Sequence, residues 1–501
     1  MNNIPCFLNI RHISSLGYLF ILQAEFLKLT TTNNNCTMNT KLFFIPVLFL
    51  LPFIFISCDG DVNGGEEDPL EIGPVDGIRI AWDYGTLTKI APRPGRNPGY
   101  CGYARMIQLN DGRLACAYET SGGTIEVSYS YDLGESWTWP DVVYIGQNKV
   151  PPYVPSIIQL DDGSILVAFN LRPQEPYTED RRFGIMVRKS VNGGESWKPA
   201  QLLYEAQHTF NDGCWEPAMV QLPDGEVQLY FSNEGIYTSS NEQNISMLRS
   251  FDNGETWTVI PEIIGFRDDR RDGMPVPLLL PEREEILVSL EDNKEGEFKP
   301  TIYREKLSDN WEDGTITADD PRRSYHPLEK PLKLMTYAGG PYLARLHSGE
   351  VLLSYQTTLN RQNIWDRSSM AVEIGDDAGT IFNRRSVPFD VPVEQWGLWN
   401  SLAVVGDNIP VAITSTNAYA RGNTEVWMIK GRVIPEFSVL QETPESDGIP
   451  AEAFWREPFP YFVGARGPAH LEATLLSDHE TLYLAEKMIK SEMVDGEDFE
   501  S

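Results

Sequence analysis

Short apolar runs separated by tight turns recur along this chain. Each unit is an apolar run of strand length, a turn and a second apolar run. The unit begins at Ala104, Pro155, Pro217, Pro277 and Pro341, and a degenerate copy begins at Ser401. Consecutive units start 51, 62, 60, 64 and 60 residues apart. Four of the six turns contain Asp-Gly or Ser-Gly, which favour tight hairpins because Gly accepts a positive φ. A spacing of this size predicts a repeat architecture.

A second motif follows the same period. SYDLGESW, SVNGGESW and SFDNGETW begin at Ser130, Ser190 and Ser250, which lie 60 residues apart. The pattern Ser-x-Asp/Asn-x-Gly-x-Ser/Thr-Trp predicts a turn in which the Asp or Asn binds nearby backbone and the Trp packs inward. It resembles the Asp box, the BNR repeat of sialidase-like propellers. Because that turn is structural, no catalytic role is assigned to its acidic and amide side chains, Asp132, Asn192 and Asp252.

Six hairpin units predict an all-β, six-bladed β-propeller, with four antiparallel strands in each blade around a central channel. The propeller is expected to span residues 78–440. The apolar stretch TEVWMIKGRVI, from Thr424, is expected to supply the last outer strand. In such a fold the site usually lies where the inner strands meet the channel mouth, and its chemistry has to be argued from the residues there.

The first 77 residues are predicted to lie outside this domain. Residues 1–37 match no domain and indicate an upstream mis-start, whereas residues 38–57 combine a charged start with an apolar run that ends at Cys58. This segment resembles a bacterial lipoprotein signal, which implies lipidation of Cys58 and an outer-membrane anchor on the periplasmic or cell-surface face. An ordinary signal peptide or a membrane anchor is the alternative. Residues 58–77 are acidic and Gly-rich and predict a flexible tether.

The C-terminal part has two predicted segments. Residues 441–456 have the composition of a linker. Residues 457–501 resemble the opening strands of a sugar-binding β-sandwich of the carbohydrate-binding family 9 type, and they are too few for a whole sandwich. A truncated module or a tail packed on the propeller would account for this short C-terminal β segment.

Composition and charge argue against some classes of function. The net charge of the 501 residues is −31, which argues against nucleic acid as the main partner. Of the cysteines, Cys101, Cys116 and Cys214 remain in the mature chain, so at most one disulfide is possible. The sequence has no Cys-x-x-Cys pair and no His/Cys cluster with ligand spacing, so no catalytic metal or other cofactor is predicted.

Three carboxylates are candidates for chemistry. Glycoside hydrolysis commonly uses two, one of which is kept protonated by its surroundings. Glu216 lies between Trp215 and Pro217, just before the inner strand of the third blade. Glu291 ends the matching hairpin of the fourth blade, and Asp272 comes just before that blade's first strand, so all three are expected to face the channel. A retaining pair is separated by roughly 5 Å.

At these positions the chain resembles the exo-arabinanases of glycoside hydrolase family 93. The resemblance covers most of residues 100–360 and rests on Trp215-Glu216-Pro217, Arg271-Asp272-Gly273-Met274 and Leu290-Glu291. It implies a six-bladed propeller that retains anomeric configuration and releases arabinobiose from linear arabinan. By the same resemblance Glu216 and Glu291 are the nucleophile and acid/base pair, with Glu216 assigned as nucleophile. The partner is then an oligo- or polysaccharide.

Other residues are candidates for substrate binding: Arg105, Tyr153, Arg172, Trp215, Arg271 and Tyr337. The chain departs from the family pattern in the second blade. The family has Asp-Asn-Pro before the inner strand and Arg-Asn after it, whereas this chain has Tyr153-Val154-Pro155 and Asn170-Leu171-Arg172. Arg172 is the candidate replacement for the missing Arg, and the exact sugar is left open.

Two other functions remain. An exo-α-sialidase would bind the substrate carboxylate with three arginines, for which Arg105, Arg188 and Arg345 are candidates. Arg105 opens the first inner strand as in sialidases, but the usual Ile-Pro after it and the expected acid are missing. A non-catalytic, surface glycan-binding lipoprotein would keep an aromatic channel and tolerate loss of either Glu.

Overall fold

The computed structural model describes residues 77–435, apart from residues 295 and 421, and the backbone of three strands within residues 461–490. The predicted leader, the signal, Cys58, the whole linker and all of the tether except residue 77 lie outside these described residues. Within the described part, no helix is both long and apolar enough to cross a membrane.

The described residues 77–435 form six four-stranded antiparallel sheets, which confirms the predicted propeller. The first strand is β1 (Ile78–Ala91). Blade 1 contains β2 (Cys101–Gln108), β3 (Leu114–Thr120), β4 (Thr124–Ser130) and β5 (Asp141–Ile145). Blade 2 contains β6 (Pro152–Gln159), β7 (Ile165–Leu171), β8 (Gly184–Ser190) and β9 (Gln201–Glu205). Blade 3 contains β10 (Cys214–Gln221), β11 (Val227–Asn233), β12 (Asn244–Ser250) and β13 (Glu262–Gly265).

The remaining blades follow the same order. Blade 4 contains β14 (Asp272–Leu280), β15 (Glu285–Asp292), β16 (Lys299–Lys306) and β17 (Arg323–Ser324). Blade 5 contains β18 (Ala338–Arg345), β19 (Val351–Thr357), β20 (Ser369–Gly375) and β21 (Phe382–Ser386). Blade 6 contains β22 (Gly397–Val405), β23 (Ile409–Thr416) and β24 (Glu425–Pro435). A separate three-stranded sheet contains β25 (Tyr461–Val463), β26 (Ala469–Ser477) and β27 (Leu482–Lys490). Short 3-10 helices lie at Phe210–Asp212, Pro281–Arg283 and Trp365–Arg367.

Blade 6 is completed by the first strand of the chain. β1 pairs antiparallel with β24 from Ile78↔Pro435 to Ala91↔Val426, and it is the outermost strand of that sheet. The expectation that the stretch from Thr424 supplies the last outer strand is therefore wrong, because β24 is the third strand. This pairing closes the ring by joining two segments far apart in sequence.

The hydrophobic core is divided into six layers, one between each pair of neighbouring blades. Between blades 6 and 1, for example, Met106 and Tyr118 pack with Ile413 and Met428. Equivalent clusters lie between blades 1 and 2, 2 and 3, 3 and 4, 4 and 5, and 5 and 6. Because every blade contributes to such layers on both sides, the inner strands are fixed around the axis.

The strand order gives the propeller two distinct faces. Each inner strand begins at the face that we call the mouth, and it ends at a hairpin on the far face. The three Ser-x-Asp/Asn-x-Gly turns connect third and fourth strands, so they also lie on the far face. In the first of them, the Asp132 carboxylate accepts hydrogen bonds from the Ser136 amide (2.9 Å) and hydroxyl (2.5 Å), while Trp137 is buried between blades 6 and 1. These turns are therefore remote from Glu216 and Glu291.

Candidate active site

A bulge near the mouth occurs at the same place in all six inner strands. In each strand the pairing shifts around one residue with a left-handed backbone, at φ between 47° and 56°. We call these residues the bulge ring: Tyr103, Val154, Glu216, Met274, Gly340 and Trp399. The left-handed conformation costs about 1–2 kcal/mol for a residue other than Gly, and bulges re-aim side chains. Glu216 is the one carboxylate among the six, and it lies within β10 rather than before it.

The bulge ring closes the channel below the mouth. Tyr103 of blade 1 and Met274 of the opposite blade 4 meet across the axis, with 3.8 Å between the phenol oxygen and the sulfur atom. Val154 and Trp399 pack into the same cluster. Below them is a cavity of about 140 Å³, which Glu216 borders. The mouth is therefore a pocket with an aromatic and apolar floor.

A second ring holds the bulges in place. In every blade a polar residue of the second strand lies opposite the residue that precedes the bulge. We call these six polar residues the acceptor ring: Glu119, Asn170, Ser232, Glu291, Gln356 and Ser415. Five of them accept a hydrogen bond from the backbone N–H of the bulge residue in the next blade, at 2.5–3.0 Å. Buried backbone donors need such partners, so this ring links neighbouring blades around the channel.

Asn170 is the exception in the acceptor ring. Its amide donates to the backbone oxygen of Cys214 (2.6 Å), and its side-chain oxygen accepts a hydrogen bond from Arg172 Nε. The Arg172 guanidinium is also held between the rings of Tyr153 and Trp215, 5.2 and 4.9 Å from their centroids. The break in the ring thus positions a cation beside Glu216.

Glu216 is surrounded by groups that favour its charged form. Its side chain is 20% exposed, and Oε1 lies 3.7 Å from Arg172 Nη2. Burial raises its pKa above the usual range, against the opposing effects of Arg172, the Ser232 hydroxyl, Arg271 and Arg105. Arg172 Nη2 is buried and has no hydrogen-bond partner among the described residues. Glu216 therefore has a close counter-ion, and part of its side chain remains accessible.

Glu291 has a less favourable environment for a charge. It lies opposite Gly273, and its Oε2 accepts the backbone N–H of Gly340 at 2.9 Å. Burial and the nearby charge of Glu216 raise its pKa to about 7, although the Gly340 hydrogen bond and Arg271 act in the other direction. A pKa raised toward neutrality suits Glu291 to the role of an acid, which requires a protonated carboxyl group near neutral pH.

A glycine makes room for Tyr337 beside Glu291. A β-carbon on Gly339 would collide with the Tyr337 hydroxyl oxygen and would lie 2.5 Å from Glu291 Oε2. The Tyr337 hydroxyl accepts a hydrogen bond from Gln356 at 3.0 Å. The structure therefore brings the predicted residue Tyr337 next to Glu291.

Trp215 and Arg271 share a third carboxylate, Glu234, which the sequence did not suggest. Trp215 Nε1 donates to Glu234 Oε2 at 3.1 Å, and Arg271 Nη2 donates to Glu234 Oε1 and to Gln243 (2.6 Å). Burial raises the pKa of Glu234 to about 7, although Arg271 opposes the shift. The only sequence signal was that a buried Trp N–H requires an acceptor. Glu234 positions both side chains at the mouth.

Asp272 does not face the channel, which corrects the expectation from the sequence. It is fully buried, and its oxygens bind Arg267 Nη2 (2.7 Å), Arg323 Nη2 (2.7 Å) and the Tyr303 hydroxyl (2.6 Å). Burial raises the pKa of Asp272, but Arg323 and Arg267 outweigh this and hold it below the usual range. Successive residues of a strand point to opposite sides, so Asp272 turns away from the mouth when Gly273 lies opposite Glu291.

The three arginines of the sialidase alternative are engaged elsewhere. Arg105 is buried and donates to the backbone oxygens of Ala104, Trp399 and Asn400 at 2.9–3.3 Å. Arg188, on the third strand of blade 2, donates to three backbone oxygens. Arg345, at the far end of β18, pairs with Glu282 at 2.7 Å. They do not converge on one place in the mouth.

One group of carboxylates in the described part is close enough to share a cation. It consists of Glu305, Asp309 and Asp313. Glu305 already pairs with Arg322 at 2.7 Å, and the group follows the far end of β16. It is separate from the mouth and takes no part in the candidate chemistry. The three cysteines Cys101, Cys116 and Cys214 are buried free thiols.

No protein-family model and no curated protein matches this chain. A protein of unknown function from Dyadobacter fermentans matches with a TM-score of 0.52 at 17% identity, covering 72% of this chain and 100% of its own. An α-L-arabinofuranosidase from Fusarium graminearum, solved as a mutant with an iminosugar inhibitor, matches with a TM-score of 0.51 at 16% identity, covering 69% and 98%. The NanB sialidase from Streptococcus pneumoniae has a TM-score of 0.48 at 12% identity, covering 68% and 70%. The chain is therefore a six-bladed β-propeller that shares its fold with the first two of these proteins.

Proposed function

We propose that this chain is a retaining, exo-acting glycoside hydrolase that removes arabinobiose-type units from a plant or host glycan. The observation that carries the proposal is the pair of carboxylates in adjacent blades. Glu216 lies 3.7 Å from a guanidinium nitrogen, whereas the pKa of Glu291 is raised to about 7. A carboxylate beside a cation, paired with a carboxyl group whose pKa is raised, is what retaining hydrolysis needs.

In the first step, the ionised Glu216 carboxylate attacks the anomeric carbon of the sugar held in the pocket. Glu291 donates its proton to the glycosidic oxygen as the bond to the leaving group breaks. The products are a covalent glycosyl ester on Glu216 and a leaving group that carries the proton. Arg172, fixed by Asn170 and two rings, favours the ionised form of Glu216 before the attack.

In the second step, Glu291 is a carboxylate and acts as the base. It takes a proton from a water molecule, whose oxygen attacks the anomeric carbon and releases Glu216. The sugar leaves with its original configuration, and Glu291 is protonated again. The loss of charge on Glu216 in the ester lowers the pKa of Glu291, because the Glu216 charge had raised it. This change favours the base form of Glu291 when it is needed.

The closed floor of the mouth supports exo action. Since Tyr103 and Met274 meet across the axis, a glycan enters the pocket by its end and does not pass through the channel.

The charged side chains around the mouth favour a neutral sugar as the substrate. Glu119, Glu216, Glu234 and Glu291 surround the mouth, while Arg172 and Arg271 are paired with two of them. The similar propeller from Fusarium graminearum is an α-L-arabinofuranosidase, and an arabinofuranoside is a neutral sugar, in agreement with this choice.

Product analysis tests the proposal. The chain from Asp59 onward is incubated with linear arabinan and, separately, with sialyllactose. We expect the wild-type chain to release arabinobiose from linear arabinan. Both Glu216→Gln and Glu291→Gln should abolish this release. Free sialic acid would overturn the arabinanase assignment. Glycan binding without any product, unchanged in both variants, would indicate the non-catalytic glycan-binding lipoprotein instead.

A further inference from the structure

One side of the mouth carries a continuous series of aromatic rings. Trp399 of the bulge ring stacks on Tyr103, with centroids 5.1 Å apart and an angle of 18° between the rings. The ring centroid of Trp365 lies 6.1 Å from that of Trp399 and 6.4 Å from that of Tyr337. The charged residues Arg172, Glu216 and Arg271 belong to blades 2 to 4, whereas these rings belong to blades 5, 6 and 1. This series of rings therefore lines the side of the mouth formed by blades 5, 6 and 1, across the channel from Arg172, Glu216 and Arg271.

Trp365 is the exposed member of this series. It lies on the 3-10 helix Trp365–Arg367, in the loop that joins β19 to β20 at the mouth, and 51% of its surface is exposed. Single exposed apolar side chains are common on protein surfaces. Trp365 differs from them because its contacts with Trp399 and Tyr337 place its exposed indole beside the pocket. The apolar C–H face of a sugar ring is a partner for such an indole, since it removes apolar surface from water on both sides.

The neighbours of Trp365 indicate which sugar it would bind. Tyr337 contacts Trp365 on one side and lies beside Glu291 on the other, near the place that Gly339 leaves open. The general acid of a glycoside hydrolase lies next to the leaving group. Trp215, Tyr153 and Arg172 lie instead on the side of Glu216. The rings from Tyr337 to Trp365 therefore extend from the acid toward the leaving-group side.

We infer that Trp365 binds the first sugar on the leaving-group side of the scissile bond, by stacking on its ring. This inference rests on the proposed function, and it adds that the enzyme recognises a glycan chain rather than only its released end. Trp365 is then a residue that determines specificity, and Trp399 and Tyr337 support its position.

The test compares two substrates with the same released sugar. One is a linear arabino-oligosaccharide, and the other is a glycosyl fluoride, which has no leaving-group sugar. Trp365→Ala is expected to lower kcat/KM for the oligosaccharide by about tenfold or more, the loss expected for one buried aromatic contact. Hydrolysis of the fluoride should fall far less. Trp139→Ala is the matched control, because Trp139 is 62% exposed on the far face.

An equal loss on both substrates, or no loss on the oligosaccharide, would overturn the inference. Should the wild type cleave neither substrate, the proposed function fails and binding decides the inference separately. In that case, binding of the oligosaccharide is measured by calorimetric titration of two proteins, the Glu216→Gln variant and the double variant that also carries Trp365→Ala. Weaker binding in the double variant supports a role for Trp365 in holding the glycan; equal binding, or none in either protein, overturns it.

Discussion

Glu119 and Glu291 occupy the same position in blades 1 and 4. Each lies opposite a glycine just before a bulge, and each accepts the backbone N–H of the bulge residue in the next blade, Val154 (2.5 Å) or Gly340 (2.9 Å). The two carboxylates differ in the hydrogen bonding of their second oxygen. Glu119 Oε1 accepts the Tyr100 hydroxyl at 2.9 Å, whereas Glu291 Oε1 has no hydrogen-bond partner among the described residues. The same position in the repeat thus holds a carboxylate with partners on both oxygens in blade 1, and in blade 4 the carboxylate to which the proposed mechanism assigns the acid.

This difference predicts opposite effects of the same substitution. Glu291→Gln can keep its bond to Gly340 through the amide oxygen, so stability should change little while hydrolysis falls by about a thousandfold, the range known for general acid catalysis. Glu119→Gln faces two donors with one oxygen, so the free energy of unfolding should fall by about 1–3 kcal/mol. Urea denaturation and steady-state kinetics on the same samples check both.

A loss of stability in Glu291→Gln as large as that in Glu119→Gln would contradict this division of roles. In that case the Gly340 bond, rather than the proton, would be the contribution of Glu291.

The pH dependence follows from the raised pKa of Glu291. As an acid it must be protonated, so kcat/KM is expected to fall as pH rises through about 7. Arg271 lowers the pKa of both Glu291 and Glu216, so Arg271→Gln should move both limbs of the profile to higher pH. A profile whose basic limb stays in place in this variant would show that Arg271 does not act on the acid.

Asp272 is predicted to be a structural residue. It holds two buried guanidinium groups, Arg267 and Arg323, so Asp272→Asn should lower the free energy of unfolding by about 3–5 kcal/mol. The exposed Asp161 is the control, because its change to Asn should leave stability nearly unaltered. If Asp272→Asn left stability unchanged and lowered turnover as much as Glu216→Gln does, the structural role would be contradicted and Asp272 would again be a candidate catalytic residue.

The anchor is a separate prediction from the sequence. We propose that the full chain is an exported lipoprotein held in the outer membrane through Cys58. Metabolic labelling with a fatty-acid analogue should mark the wild type, and Cys58→Ser should be unlabelled and released from the membrane fraction. Equal labelling of both would refute lipidation at Cys58.

The hairpin repeat was sufficient to predict the propeller and its six blades. It misplaced two of the units by one or two residues: the copies that the sequence pattern places at Pro277 and Ser401 begin, in the structure, at Pro275 and Asn400. In blade 4 the turn is lengthened by the 3-10 helix Pro281–Arg283, which shifts the apparent alignment. A run of strand residues sets the period, but the length of each turn sets the register.

The proposed catalytic pair was identified from the sequence, but most of its surroundings were not. The bulges depend on pairing with a second strand, so the sequence alone did not reveal that Glu216 has a left-handed backbone. A partial signal was present, because a proline follows the bulge residue in four blades, at Pro155, Pro217, Pro275 and Pro341. The acceptor ring was also visible as a polar residue ending most units. The contacts of Glu234 and Trp365 join separate blades and loops, which no local pattern encodes.

The roles of Glu216 and Glu291 are tested most directly by rescue with azide, using an aryl glycoside as substrate. In Glu216→Ala, azide should replace the missing nucleophile and give a glycosyl azide of inverted configuration. In Glu291→Ala, azide should attack the glycosyl ester on Glu216 and give the retained configuration. The anomeric configuration of each azide is read by proton NMR. The reverse pair of configurations would exchange the two roles, and no rescue in either variant, with hydrolysis intact, would contradict the two-carboxylate mechanism.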